Sequence, residues 1–248
     1  MKKLLLTFVM VLGIVVNGWA TTYTGSLTDS SGLFATNGNF GNAGIHGWNP
    51  SAVLSYTVDD TTNTGFWTYA YTYTVDEKGI SHVIIEVSDD NPATPENEAF
   101  TTANLKAGST AGGIINPYSP SDPGNSNPFM PEQVYGIKWD TEGILSFFWT
   151  IVTDRMPMWG DFYAVDGKKP GNEIYAYNTG FGLDTSALIG NGNAMDTQGH
   201  AWLLVPDSKI DDDGGRGRQV PEPGTLLLLG SGLIGLALYG GRKFNKKI

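Results

Sequence analysis

The chain of 248 residues contains no cysteine and only three histidines. Without thiols there is no disulfide to brace the fold and no thiolate to hold a metal, although an exported protein could use disulfides. His46, His82 and His200 are far apart, and none belongs to a helical H-E-x-x-H arrangement, which leaves a zinc-hydrolase centre without its ligands. Positive charge is scarce as well. Between the two termini, residues 21–220 carry 24 acidic and 9 basic side chains, a net charge of about −15 with neutral histidines. Such a surface argues against nucleic acid and anionic lipid as partners, and is compatible with divalent cations or with staying soluble outside a cell. No serine sits in a G-x-S-x-G context, and the "GNGNAM" stretch from Gly190 has neither the lysine nor the following helix of a phosphate loop.

What the body does have is alternation. In "FWTYAYTYTV", Trp67, Tyr69, Tyr71, Tyr73 and Val75 share one face, and Thr68, Ala70, Thr72 and Thr74 share the other. Period two in β-favouring residue types predicts a strand. Shorter runs of the same kind begin at Val53, His82, Val134, Ile144, Asp161, Glu173 and Ala201. About eight strands separated by Asn-Gly, Asp-Gly and Pro-rich breakers, with no convincing long amphipathic helix, predict an all-β protein. Its expected architecture is a single β-sandwich, jelly-roll-like, over residues 21–206. Two Pro/Asn/acid-rich connections, Ser88 to Phe100 and Asn116 to Glu132, are long enough to be functional or flexible. Residues 207–219 read as a solvated acidic, Gly-rich tether.

The two ends have a different character. Lys2 and Lys3 precede an apolar run from Leu4 to Val16, and Gly18-Trp19-Ala20 supplies small residues where a signal peptidase reads them. This is the pattern of a secretory signal peptide, residues 1–20, cleaved after Ala20. At the other end, residues 226–240 carry no charge and form a transmembrane helix of roughly 22 Å, short of a ~30 Å hydrocarbon core unless flanking side chains snorkel. Arg242, Lys243, Lys246 and Lys247 follow it as a membrane stop. The positive-inside rule then leaves the tail in the cytoplasm and the domain outside.

Pro221-Glu222-Pro223, Gly224-Thr225, the Gly-rich apolar run and its basic end together resemble a PEP-CTERM sorting signal over residues 220–248. The resemblance implies handling by an exosortase, with Pro221, Glu222 and Pro223 as recognition residues. It also implies transient anchoring in the inner membrane and transfer to the cell envelope or an extracellular polysaccharide matrix. The basic cluster departs from the family pattern where Phe244 and Asn245 interrupt it. The prolines block helix continuation and hold Glu222 extended outside the membrane, in the form a protease can grip. More loosely, "MPMWGDFYAVDG" and the strands before it are similar to the ectodomains of other exported PEP-CTERM proteins, a resemblance that carries no catalytic residue.

Candidate chemistry in the body is thin. Asp140 and Glu142 stand two apart and are compatible with either a glycosidase carboxylate pair or an acidic turn. Oxygen-rich clusters at Asp59/Asp60/Asn63, Asp89/Asp90/Asn91 and Asn191/Asn193/Asp196 are calcium candidates that equally suit turns. Trp67 and Trp149 lie inside apolar patterns and belong to the core. Trp48 and Trp159 lie in expected loops and are the candidates for stacking on a carbohydrate. The sequence therefore predicts an exported, non-enzymatic envelope or matrix protein that needs no cofactor. The alternatives are a carbohydrate-binding module, with or without calcium, and a polysaccharide hydrolase.

Overall fold

The alternating tyrosines form the inner face of a central strand. In the computed structural model, which describes residues 21–39, 41, 44–89, 99–123, 126–166, 172–183 and 195–206, Tyr69, Tyr71 and Tyr73 are fully buried on β6 (Trp67–Thr74). β6 pairs antiparallel with β5 (Val53–Asp59) on one side and β10 (Ser146–Thr153) on the other, and β1 (Thr22–Thr28) adds outside β5. The sheet order is thus β1, β5, β6, β10. The expected signal peptide, the tether 207–219 and the sorting segment with its helix 226–240 lie outside the described residues, among which no helix is long and apolar enough to cross a membrane.

A second sheet of six strands faces the first. It contains β2 (Leu33–Ala35), β13 (Tyr175–Asn178), β12 (Phe162–Asp166), β7 (Ile80–Glu86), β9 (Val134–Ile144) and β8 (Ile114–Tyr118), in that order across the sheet. Inner-face residues of both sheets merge into one core, including Leu54, Tyr71 and Trp149 from the first and Val83, Ile137 and Phe162 from the second. Phe162 lies 5.1 Å from the Tyr73 ring and 6.4 Å from Trp149, and Trp139 lies 6.1 Å from Trp149. The architecture is a two-sheet, all-β sandwich. Burying a large apolar side chain stabilises by roughly 1.5–3 kcal/mol, so this aromatic layer is the main adhesive of a chain without disulfides. Two polar tips inside it, Tyr73 Oη and Trp149 Nε1, meet no partner among the described residues, at a cost of about 1–3 kcal/mol each.

The six-stranded sheet is covered on its outer face too. Ile84, Tyr163 and Val165 point away from the main core and pack with Tyr118, Met130, Val134 and Phe181 in a second cluster. Burial on both faces explains why β7 and β12 read as continuous apolar runs. The cover is the long Pro-rich connection after β8. Its Pro128 carbonyl accepts from Tyr163 Oη at 2.7 Å, and Asn127 Oδ1 lies 3.1 Å from His82 Nε2. The connection is shorter than its composition implies, because Asn116 to Tyr118 belong to β8.

Two small sheets complete the molecule: β3 (Asn37–Asn39) with β4 (Ile45–Gly47), and β11 (Pro157–Gly160) with β14 (Leu203–Pro206). Tyr71 Oη donates to the Leu204 carbonyl at 2.7 Å and so ties β14 to β6. Where the chain passes from β11 to β12, buried Asp161 is fully engaged. Its carboxylate accepts from Asn178 Nδ2 at 2.8 Å and from the Gly182 N–H at 2.9 Å, while its own N–H donates to Glu86 Oε2 at 2.8 Å. The outer edge of β10 is closed by hydroxyls. Thr110 Oγ1 accepts from the Thr150 N–H and Ser109 Oγ accepts from the Val152 N–H, both at 2.9 Å.

The β5–β6 turn is nailed at its first residue. Asp59 Oδ1 accepts from the Thr61 and Thr62 N–H groups at 2.9 and 2.6 Å, and each threonine hydroxyl donates to the same carboxylate. Burial pushes the Asp59 carboxyl up, but these donors outweigh it and hold it below the usual carboxylate range. A depressed folded value contributes stability that is present above the unfolded carboxylate value and is lost as pH falls through the folded one. Asp59→Asn should lower stability at neutral pH by about 1 kcal/mol, and the gap to wild type should close below about pH 4 in denaturant melts across pH.

Candidate functional site

The two tryptophans expected in loops are core residues. Trp48 follows β4 in a turn yet is fully buried, with its edge against the Tyr73 ring at 5.4 Å and Nε1 donating to the Lys78 carbonyl at 2.5 Å. Trp159 lies on β11 opposite Leu204, and only 5% of its surface is accessible. Neither presents a ring to a ligand, which corrects the expectation from their Gly- and Pro-rich contexts. The cover over Trp48 comes from β6 and the β6–β7 turn, some 25 to 30 residues away, and short-range composition does not report it.

The acidic candidates also resolve into structural parts. β9 runs through "DTEG" with a bulge, where Glu142 and Gly143 have φ of 56° and 80°, so this segment is strand and not a turn. Asp140 pairs with Lys138 at 3.1 Å and faces His82 across the strand pair. Asp59 is committed to its turn, and Asp60 Oδ1 accepts from the Thr21 N–H at 2.8 Å. Asp196 Oδ1 accepts from the Gln198 and His200 N–H groups, and its Oδ2 lies 2.8 Å from His200 Nδ1. Burial pushes Asp196 up, but these bonds hold it below the usual carboxylate range. Asp90, Asn91, Asn191 and Asn193 lie outside the described residues. Among the described residues no three of His, Asp and Glu gather as a metal cluster would require.

The feature that stands open is an aromatic row on the outer face of the six-stranded sheet. Phe34 from β2 and Tyr177 from β13 are paired in register, with ring centres 4.8 Å apart and planes within 26°. Tyr177 and Tyr175 lie 6.2 Å apart and within 10°, and Phe129 follows Tyr175 at 5.1 Å and 20°. Phe34 is 40% exposed and Phe129 62% exposed. Phe129 adopts φ of 57°, a left-handed conformation unfavourable for a bulky side chain, and it does so to reach this row from the strap across the sheet. One carboxylate, Glu173, is close to the row. Glu132 lies against Gly182, and Glu173 is near enough to Tyr175 to raise its phenol after burial and the neighbouring Tyr177 have done so. The sequence shows half of this row in the i, i+2 pair Tyr175 and Tyr177. Phe34 and Phe129 carry no one-dimensional signal, since strand pairing and a backbone outlier bring them in.

Comparison with known families matches residues 219–243 to the PEP-CTERM protein-sorting motif. The chain carries a PEP-CTERM sorting motif. Pro221, Glu222, Pro223, Arg242 and Lys243 fall inside the match, and Lys246 and Lys247 follow it. The motif marks an exported, membrane-transiting protein targeted to an exosortase. Neither curated proteins nor solved structures gave a match. PEP-CTERM identity therefore rests on the tail, and the sandwich has to be interpreted from its own geometry.

Trp48→Ala should cost on the order of 3–5 kcal/mol, the size of a large aromatic deletion in a core, with the loss visible as an early denaturant midpoint. A midpoint equal to wild type would contradict the buried placement.

Proposed function

We propose that this chain is an exosortase-processed envelope or extracellular-matrix protein without a reaction of its own, whose acidic sandwich is the part displayed. The observation that carries this is the sorting motif placed immediately after the fold. The last described strand ends at Pro206 and the motif begins at residue 219, so only residues 207–218 lie between them. Signal peptidase acts first after Ala20, the apolar run 226–240 then holds the chain in the inner membrane, and the exosortase takes it near the Pro-Glu-Pro triplet. Glu222→Ala should block this processing while leaving export intact. Cells making the variant should accumulate a membrane-bound form that retains Arg242 to Ile248, detected by mass. Normal release with normal mass would sink the proposal.

A second reading is favoured by the exposed aromatic row. Phe34, Phe129, Tyr175 and Tyr177, instead of Trp48 and Trp159, would provide the apolar face of a carbohydrate-binding module, calcium-dependent or not. Glu173 beside Tyr175 puts negative charge at the border and repels anions, which favours a neutral glycan over an acidic one. Phe129→Ala should weaken retention on neutral polysaccharide several-fold with less than about 1 kcal/mol lost in stability, because an exposed ring contributes little to the core. A glycan array run with and without chelator, beside denaturant melts, checks both halves. Unchanged retention would remove the row as a ligand site.

A further inference from the structure

The start of the fold coincides with the expected export cut. β1 begins at Thr22, and its register with β5 runs from Thr22 opposite Asp59 to Thr28 opposite Val53. One pair further out, the Thr21 carbonyl accepts from the Asp60 N–H at 3.3 Å. The second bond of that pair is not made to the Asp60 carbonyl. It is the Asp60 side chain that accepts, with Oδ1 2.8 Å from the Thr21 nitrogen. The partner strand then leaves the sheet, because Asp59 locks residues 61 and 62 into the turn. The ladder thus closes on Thr21, with a carboxylate at its last nitrogen and no strand position opposite residue 20.

We propose that removal of residues 1–20 makes Thr21 the first residue and that its new α-ammonium is held by Asp60, so that the export cut turns an amide–carboxylate hydrogen bond into an ion pair. Hydrolysis breaks the bond between the Ala20 carbonyl carbon and the Thr21 nitrogen. The water oxygen stays on the Ala20 carboxylate, and both water hydrogens end on the Thr21 nitrogen, giving –COO⁻ and –NH₃⁺. The carboxylate already aligned with that nitrogen receives the charge without rearrangement. A cut further downstream would remove the nitrogen that Asp60 holds, and one further upstream would place the charge beyond it. The bond to the Asp60 carboxylate is charge-assisted on the acceptor side before the cut, and the cut adds a positive charge on the donor, which tightens the sheet edge at which the chain enters the fold. Asp59, the neighbouring carboxylate, is engaged by Thr61 and Thr62 and leaves Asp60 as the acceptor. The inference rests on the signal-peptide part of the proposed function.

The test uses the protein purified from the cells that export it. Limiting amine-acylating reagent is applied at neutral pH, and the N-terminal peptide is quantified by mass spectrometry with lysine peptides as internal reference. Thr21 should be the N-terminal residue and should label about two- to fivefold more slowly in native than in denatured protein, the range of a solvent-accessible ion pair. Asp60→Asn should abolish that protection. Should the variant not fold, raising salt on the wild-type protein serves instead, since screening accelerates labelling of an ion-paired amine but not of one that is merely covered. Equal labelling of Thr21 in native and denatured protein, or protection indifferent to both Asp60→Asn and salt, overturns the ion pair while leaving the cut intact. An N-terminal peptide beginning at any other residue overturns the cut itself, and with it the pair.

Discussion

The contact between the tyrosine face of β6 and the inner face of the six-stranded sheet is the constraint on which the other parts depend. A chain without cysteine must beat its conformational entropy by burial. Tyr69, Tyr71 and Tyr73 do this from one strand, and two of them also supply polar reach. Tyr69 donates to the Arg155 carbonyl and Tyr71 to the Leu204 carbonyl, so the same side chains that fill the core pin the segments that close it. Trp48 and Phe162 pack directly on Tyr73, and Trp149 packs on Tyr71, which makes β6 the common neighbour of the turn after β4, of β12 and of β10.

This dependence explains what was legible in the sequence. The ten-residue alternation around Tyr71 predicted the central strand and its buried face, because period two is a property of the chain itself. The shorter runs at β5, β7, β9, β10, β12, β13 and β14 were legible too, β7 and β12 as continuous apolar stretches, whereas β1, seven residues of mostly Thr, Gly and Ser, was not. β2, β3, β4, β8 and β11 were not, being three to five residues long and built from Asn, Gly and Pro as much as from apolar types. Their strand character comes from partners elsewhere in the chain.

Trp48, Trp159 and Phe129 show the limit on reading a site. A Gly-Trp-Asn-Pro context looks like an exposed loop until Tyr73 and the Lys78 carbonyl arrive from another element. Phe129, in an equally loop-like Asn-Pro-Phe-Met-Pro context, is exposed because a left-handed backbone turns it outward. Similar local sequences gave opposite exposures, and what distinguishes them is long-range cover and one dihedral angle. The tail differs because its motif, with Pro221, Glu222 and Pro223, is recognised from residue order itself.

The hydroxyls of Ser109 and Thr110 along the free edge of β10 have a consequence for life at a surface. Where copies of a β-domain meet at high local concentration, open strand edges join copy to copy into fibrous stacks. Here two of the donors along that edge, the Thr150 and Val152 N–H groups, are already taken within the molecule. β8, at the far edge of the other sheet, carries Pro117, which has no N–H to offer a newcomer. These two edges are therefore poorer templates for a second copy of the domain.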